Sequence, residues 1–135
     1  MIKLLLVTSE KDPFSEFVSV LKNKDDVELF STSTGQEALA LVSENPVDLV
    51  IVDDNISDMT GIEFMKKLLP INPMINYAAV SPLAHEEFHE VSEGLGVLMQ
   101  LPVGPGEFEA EDLLKRLKNL KDQTAGINIG VNSNE

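Results

Sequence analysis

The sequence predicts an α/β fold of five βα units, with a parallel sheet carrying helices on both faces. Three observations carry this expectation. Runs such as IKLLLV (2–7) and DLVIV (48–52) are apolar without alternation, the mark of strands buried on both faces. The stretches between such runs place their apolar residues at helical spacing. The connections are short, and the two patterns alternate along nearly the whole chain.

Ile2–Val7 reads as the first strand. Asp12 and Pro13 read as the N-cap and first-turn pair of a helix whose face is Phe14, Phe17, Val18 and Leu21. Val27–Thr32 is the second strand. Thr34 and Glu37 fit a capping box ahead of Ala38, Leu39, Leu41 and Val42, and Asn45-Pro46 ends that helix. Asp48–Val52 is the third strand. Thr60 and Glu63 form a second capping box before Phe64, Met65, Leu68 and Leu69, and Pro70 stops the helix. Met74–Val80 is the fourth strand, with Asn76 and Tyr77 as its odd members. Ser81 and Pro82 read as N-cap and first position of a helix carrying Ala84, Phe88, Val91 and Leu95, closed by Gly94 and Gly96. Val97–Gln100 is a short fifth strand. The last helix carries Ala110, Leu113, Leu114, Leu117 and Leu120. One domain is expected over 1–120. Residues 121–135 are poor in core types and read as a flexible tail or linker, with a weak edge strand through Ile127, Ile129 and Val131 as the alternative.

Composition narrows the function. The 135 residues suffice for one core, and a hydrophobic content of 43% opposes disorder across the chain. There is no cysteine, hence no disulfide, thiol nucleophile or thiolate metal site. A net charge of −13 repels phosphate backbones and anionic lipids, so neither nucleic acid nor an anionic membrane is an expected partner. The first apolar run is too short for a signal-peptide core or a membrane span, and a cytoplasmic setting is expected.

In a sheet of this kind function gathers at the carboxyl ends of the strands. Those ends carry Thr8-Ser9-Glu10, the close of the second strand, Asp53-Asp54, Ala78 to Ser81, and Leu101-Pro102. On residue type alone Asp53 is either a reactive carboxylate or a solvated aspartate beside a turn. Two other chemistries are weaker. HEEFH (85–89) matches the zinc-hydrolase helix, with His85 and His89 as ligands and Glu86 as base. Its Glu87 is a charge where that helix prefers none, and Glu107 and Glu109 are only available as a third ligand. A flavin carrier would need a phosphate loop at TSEKDPF, which has no glycine and holds Glu10 and Asp12.

The segments DLVIVDDNISDMTGIEF and GLGVLMQLP resemble the receiver domain of bacterial two-component response regulators, over about residues 2–120. The resemblance implies the CheY-like, flavodoxin-like (βα)5 fold and a phosphorelay role. It places Asp53 at the phosphoacceptor, Asn55 at the residue whose carbonyl helps hold Mg²⁺, and Gly61 at the family glycine. Ser57 stands where proline is usual, and Thr60 where aspartate is usual. A cis Leu101–Pro102 bond is an expectation of the family. The departures concern charge. The acidic pair after the first strand is replaced by Thr8 and Ser9, with Glu10 and Asp12 one step late. Leu101 takes the place of the family lysine. The switch hydroxyl falls on Ala78 or Ala79 without a gap, and on Ser81 only after a two-residue shift. Leu98 occupies the aromatic switch position.

Phosphoryl transfer to an aspartate depends on neutralising charge at the equatorial oxygens. A hard cation held by carboxylates does most of this. Losing the acidic pair and the lysine removes contacts worth roughly 1.5–3 kcal/mol each, about 4–9 kcal/mol in all. That is on the order of 10³- to 10⁶-fold in rate or occupancy. The expectation is therefore a non-enzymatic pseudo-receiver that docks to a protein, with weak or no phosphorylation at Asp53. The alternative is a working phosphoacceptor driven by a histidine kinase, with Mg²⁺ on Asp53, Asn55 and Glu10. The resemblance implies that the kinase or output protein meets the fourth helix, fifth strand and fifth helix, roughly Phe88 to Leu120, and that a homodimer would use the same face.

Overall fold

A computed structural model describes the backbone of residues 1–133 and the side chains of residues 1–121. The strands are β1 (Ile2–Val7), β2 (Val27–Thr32), β3 (Leu49–Val52), β4 (Asn76–Val80) and β5 (Val97–Leu101). They form one parallel sheet in the order β2-β1-β3-β4-β5. The helices are α1 (Ser15–Lys22), α2 (Gly35–Glu44), α3 (Gly61–Leu68), α4 (His85–Ser92) and α5 (Glu107–Ser133). The flavodoxin-like (βα)5 expectation holds.

The sheet separates two cores, and alternate residues of each strand serve one or the other. Leu4, Leu6, Ile51 and Ala78 meet Phe14, Phe17 and Leu21 beside α1 and Leu113, Leu114 and Leu117 of α5. Leu5, Val7, Val50, Val52 and Ala79 meet Ala38 and Val42 of α2, Phe64, Met65 and Leu68 of α3, and Phe88 of α4. Both faces being covered, the central strands cannot afford a polar position, which is why their sequences run apolar throughout.

The structure corrects several boundaries. Asp12 does not cap α1: Asp12–Phe14 is a 3₁₀ turn and the α-helix begins at Ser15. The box at Thr34 is half formed. The Thr34 hydroxyl accepts from the Glu37 amide at 3.0 Å, but the Glu37 carboxylate turns to the amide and hydroxyl of Ser33 instead. The box at Thr60 and Glu63 is complete. β4 starts at Asn76, two residues later than predicted, because its neighbour β3 starts only at Leu49 and pairs it with Asn76. Asp48 is drawn off the strand by Lys3, whose amide donates to its carboxylate at 2.8 Å while its carbonyl accepts the Asp48 amide. Ser81 does not cap α4, whose N-cap is Ala84. Its hydroxyl accepts from the Leu83 amide at 3.2 Å and closes a turn ahead of the helix. Of the predicted α4 face, Ala84 is exposed and Val91 is 46% exposed, so only Phe88 and the following Leu95 enter the core.

Residues 121–133 continue α5, so Ile127, Ile129 and Val131 are helical and form no edge strand. The sequence offers no proline after Pro105 to stop that helix. The expected cis bond is absent: every described peptide bond is trans, Leu101–Pro102 included. Trans is the X–Pro default by about 0.5–1 kcal/mol. None of the described helices is long and apolar enough to cross a membrane.

Candidate functional site

Asp53 is the first residue past β3. Its amide donates to the Val7 carbonyl at 3.0 Å, which anchors it across β1. One oxygen of its carboxylate accepts from the Thr8 hydroxyl at 2.6 Å, and the other from the Asp54 amide at 2.9 Å. Thr8 is fully buried at the end of β1, and its oxygen also accepts from the Glu10 amide at 3.1 Å. The hydroxyl lies 2.9 Å from the Glu10 carbonyl as well, but it has one proton. The shorter, charge-assisted bond to Asp53 is the stronger claim on it. Gly61 closes the site from behind. A Cβ there would stand 2.4 Å from the Asp53 carbonyl oxygen, so no larger residue fits without moving the aspartate.

Ser9, Glu10, Pro13, Phe14, Asp53, Asp54, Asn55, Val80, Val103 and Gly104 line an open cleft of about 240 Å³. Its charges are all negative: Glu10, Asp53 and Asp54. Burial raises the Asp53 pKa above the ordinary carboxylate value, opposed by the Thr8 hydroxyl and the Asp54 amide and supported by the Asp54 side chain. Leu101, expected at the position of the family lysine, is fully buried in the core beside α1 and α5 and brings no cation.

Asn55 is exposed, lines the cleft with Asp53 and Glu10, and bridges to Thr60. The switch candidates scatter. Ala78 and Ala79 are both buried, facing the two opposite cores. Leu98 is half-buried against the α1–α5 core. Ser81 lies outside the Asp53 cleft, in a smaller one with Asp54, Met65, Phe88 and Val91. Among the described residues no three acidic or histidine side chains converge as metal ligands. Glu10, Asp53 and Asn55 share the cleft, but the acidic side chains there do not converge into the oxygen cage that a hard divalent cation takes. His85, Glu86 and His89 are exposed on α4, and no third ligand among the described residues converges on them.

Two polar ties escaped the sequence reading. Asp58, in the loop after Asp53, accepts from the Gly35 amide at 2.8 Å and the Gln36 amide at 3.1 Å, at the start of α2. The Gly35 amide, foremost, holds its carboxyl below the ordinary value. Gln100 of β5 donates from its side-chain amide to the carbonyls of Ser81 and Leu83, at 3.2 and 2.8 Å. Both ties join residues far apart in sequence, so no local spacing announces them.

Residues 4–101 match the response regulator receiver domain. The chain belongs to that family. It is 25% identical over 117 residues to sporulation initiation phosphotransferase F of Bacillus subtilis (strain 168), covering 87% of this chain and 94% of that protein. The fold matches a CheY-like receiver domain protein from Methanospirillum hungatei JF-1 with a TM-score of 0.75 and 21% identity, over 93% of this chain and 98% of that one. It also matches the chemotaxis response regulator CheY4 of Vibrio cholerae, with a TM-score of 0.76 and 22% identity over 87% and 98% of the two chains. As a receiver domain the chain is a two-component signalling module, of a kind that interacts with protein partners such as kinases.

Proposed function

We propose that this receiver works chiefly as a docking module, with phosphorylation at Asp53 weak or absent. One observation carries the reading: the Asp53 carboxylate already has both oxygens engaged, by Thr8 and by the Asp54 amide, in a cleft lined with acids and no base. An incoming phosphoryl group carries negative charge into that cleft, where no positive group receives it. The Thr8 hydroxyl takes one of the two lone pairs that a cation or phosphoryl group would use at the same oxygen. The partner is a protein, a histidine kinase or an output protein, and the face that meets it is α4, β5 and α5. Exposed Val91 and Phe108 give that face an apolar component. A homodimer through the same face belongs to this proposal.

Intact mass after incubation with acetyl phosphate and Mg²⁺ tests the reading, beside an Asp53→Asn control. The expected result is no added phosphoryl group, or a small fraction, on the natural sequence. Stoichiometric gain on the natural sequence, absent from the control, would overturn it and leave a working phosphoacceptor.

A further inference from the structure

We infer that Asp58 is a latch that couples the Asp53 loop to α2, making α2 a second face on which the state of the pocket is felt. The contacts come from both sides of a junction between the β2–α2 and β3–α3 loops. The Asp58 carboxylate takes the Gly35 and Gln36 amides, two of the donors that a helix start leaves without internal partners. Met59 fills the space over Gly35 so closely that a Cβ there would lie 2.6 Å from its sulfur. The Ser57 hydroxyl reaches the Ser33 carbonyl at 3.4 Å, extending the junction at its outer edge.

The same loop is tied at its other end to Asp53. The Gly61 amide donates to the Asp54 carbonyl at 2.9 Å, and the Ile56 amide to the Met59 carbonyl at 2.9 Å. Residues 54 to 61 therefore form a short closed loop. Its root is pressed against the Asp53 carbonyl by Gly61, and its tip is hydrogen-bonded to α2. A loop held at both ends and braced inside moves as one body. A shift of Asp53 is then passed to the first turn of α2, which packs against β1 and β2 and not against β5. The coupling does not require that Asp53 be phosphorylated; any change at the carboxylate engages it.

Amide hydrogen exchange read residue by residue tests the latch. Asp58→Ala is expected to speed exchange at Gly35 and Gln36, and by a similar factor of about tenfold at Ile56 and Gly61, with β1 and α1 unchanged. Gly35→Ala pushes on the junction from the α2 side and is expected to loosen Ile56 and Gly61 in turn, since coupling is reciprocal. The last arm is a cycle. Asp53→Asn should alter exchange at Gly35 and Gln36 in the natural background, and should leave them unaltered when Asp58 is alanine. If Asp58→Ala loosens Gly35 and Gln36 alone, Asp58 is only a helix cap and the proposal fails. It fails equally if Asp53→Asn reaches α2 with Asp58 absent. Circular dichroism of each variant identifies one that has simply unfolded, in which case Asp58→Asn, which keeps the side-chain shape, replaces Asp58→Ala.

Discussion

α3 and α4 are both eight residues long and both follow strands of the same sheet, yet they are held very differently. α3 opens on a complete capping box, places Lys66 and Lys67 in its last turn and buries Gly61, Phe64, Met65 and Leu68. α4 has no side-chain cap, begins His85-Glu86-Glu87 in solvent, and buries only Phe88 and Ser92. Ser92 spends its hydroxyl on the Phe88 carbonyl one turn back. The difference teaches which side of Asp53 is scaffold and which is adjustable. The β3–α3 side is braced by local caps and by Asp58, whereas the β4–α4 side is held by Gln100, the Ser81–Leu83 turn and the apolar contacts of Phe88 and Leu95.

The sharpest break of this comparison is a pair of truncations. Phe64→Ala empties a fully enclosed site and is expected to cost about 3–5 kcal/mol in urea unfolding. Phe88→Ala should cost less, because a short, weakly anchored helix can settle into the space. Equal losses would remove the distinction between the two helices. Next in size is Gly61→Ala. Its methyl group collides with the Asp53 carbonyl, and overpacking of this kind costs about 1–3 kcal/mol. The measurable sign is a lower denaturation midpoint together with displaced Asp53 and Asp54 amide resonances; an unmoved Asp53 would mean that the backbone there yields freely.

The caps come third. Thr60→Ala is expected to cost about 1 kcal/mol, while Ala84→Ser should give α4 the cap it lacks and add about 0.5–1 kcal/mol. Thermal midpoints of the two variants should move in opposite directions, and a loss at Ala84→Ser would show that α4 needs its present entry angle. The smallest effect concerns charge. The folded state raises the Asp53 pKa, so it binds the proton more tightly than the unfolded chain does. Stability from this group is present below the ordinary carboxylate value and is lost as pH rises through the folded one. Asp53→Asn should therefore raise the thermal midpoint at neutral pH, with the gain fading as pH falls through the raised folded value and gone below about 4. A variant less stable than the natural sequence at pH 7 would show that the Thr8 hydrogen bond outweighs burial.

Most of the architecture was legible because periodicity reports burial. IKLLLV and LVIV could only be strands covered on both faces, and they are. Errors fell where burial stops deciding. Met74 is apolar but 84% exposed, and strand length there is set by the partner strand, which the local sequence does not contain. Ser81-Pro82 carried a cap signal that a nearer amide, Leu83, absorbed. At the site, Asp53 was visible from its place at the end of an apolar run. The Thr8 bond was not, because a hydroxyl 45 positions away gives no sign of where its proton points. Asp58 was passed over for the same reason.

Leu101 bears on how readily the site could gain a positive charge. It sits sealed among the residues between the sheet, α1 and α5, and no water reaches it. Placing a lysine there would strip a filled niche of part of its packing and ask an ammonium to find its way out to the carboxylates. A charge at that position needs neighbouring side chains to change first. The niche keeps its residue type by close packing and not by any chemistry at the Asp53 carboxylate.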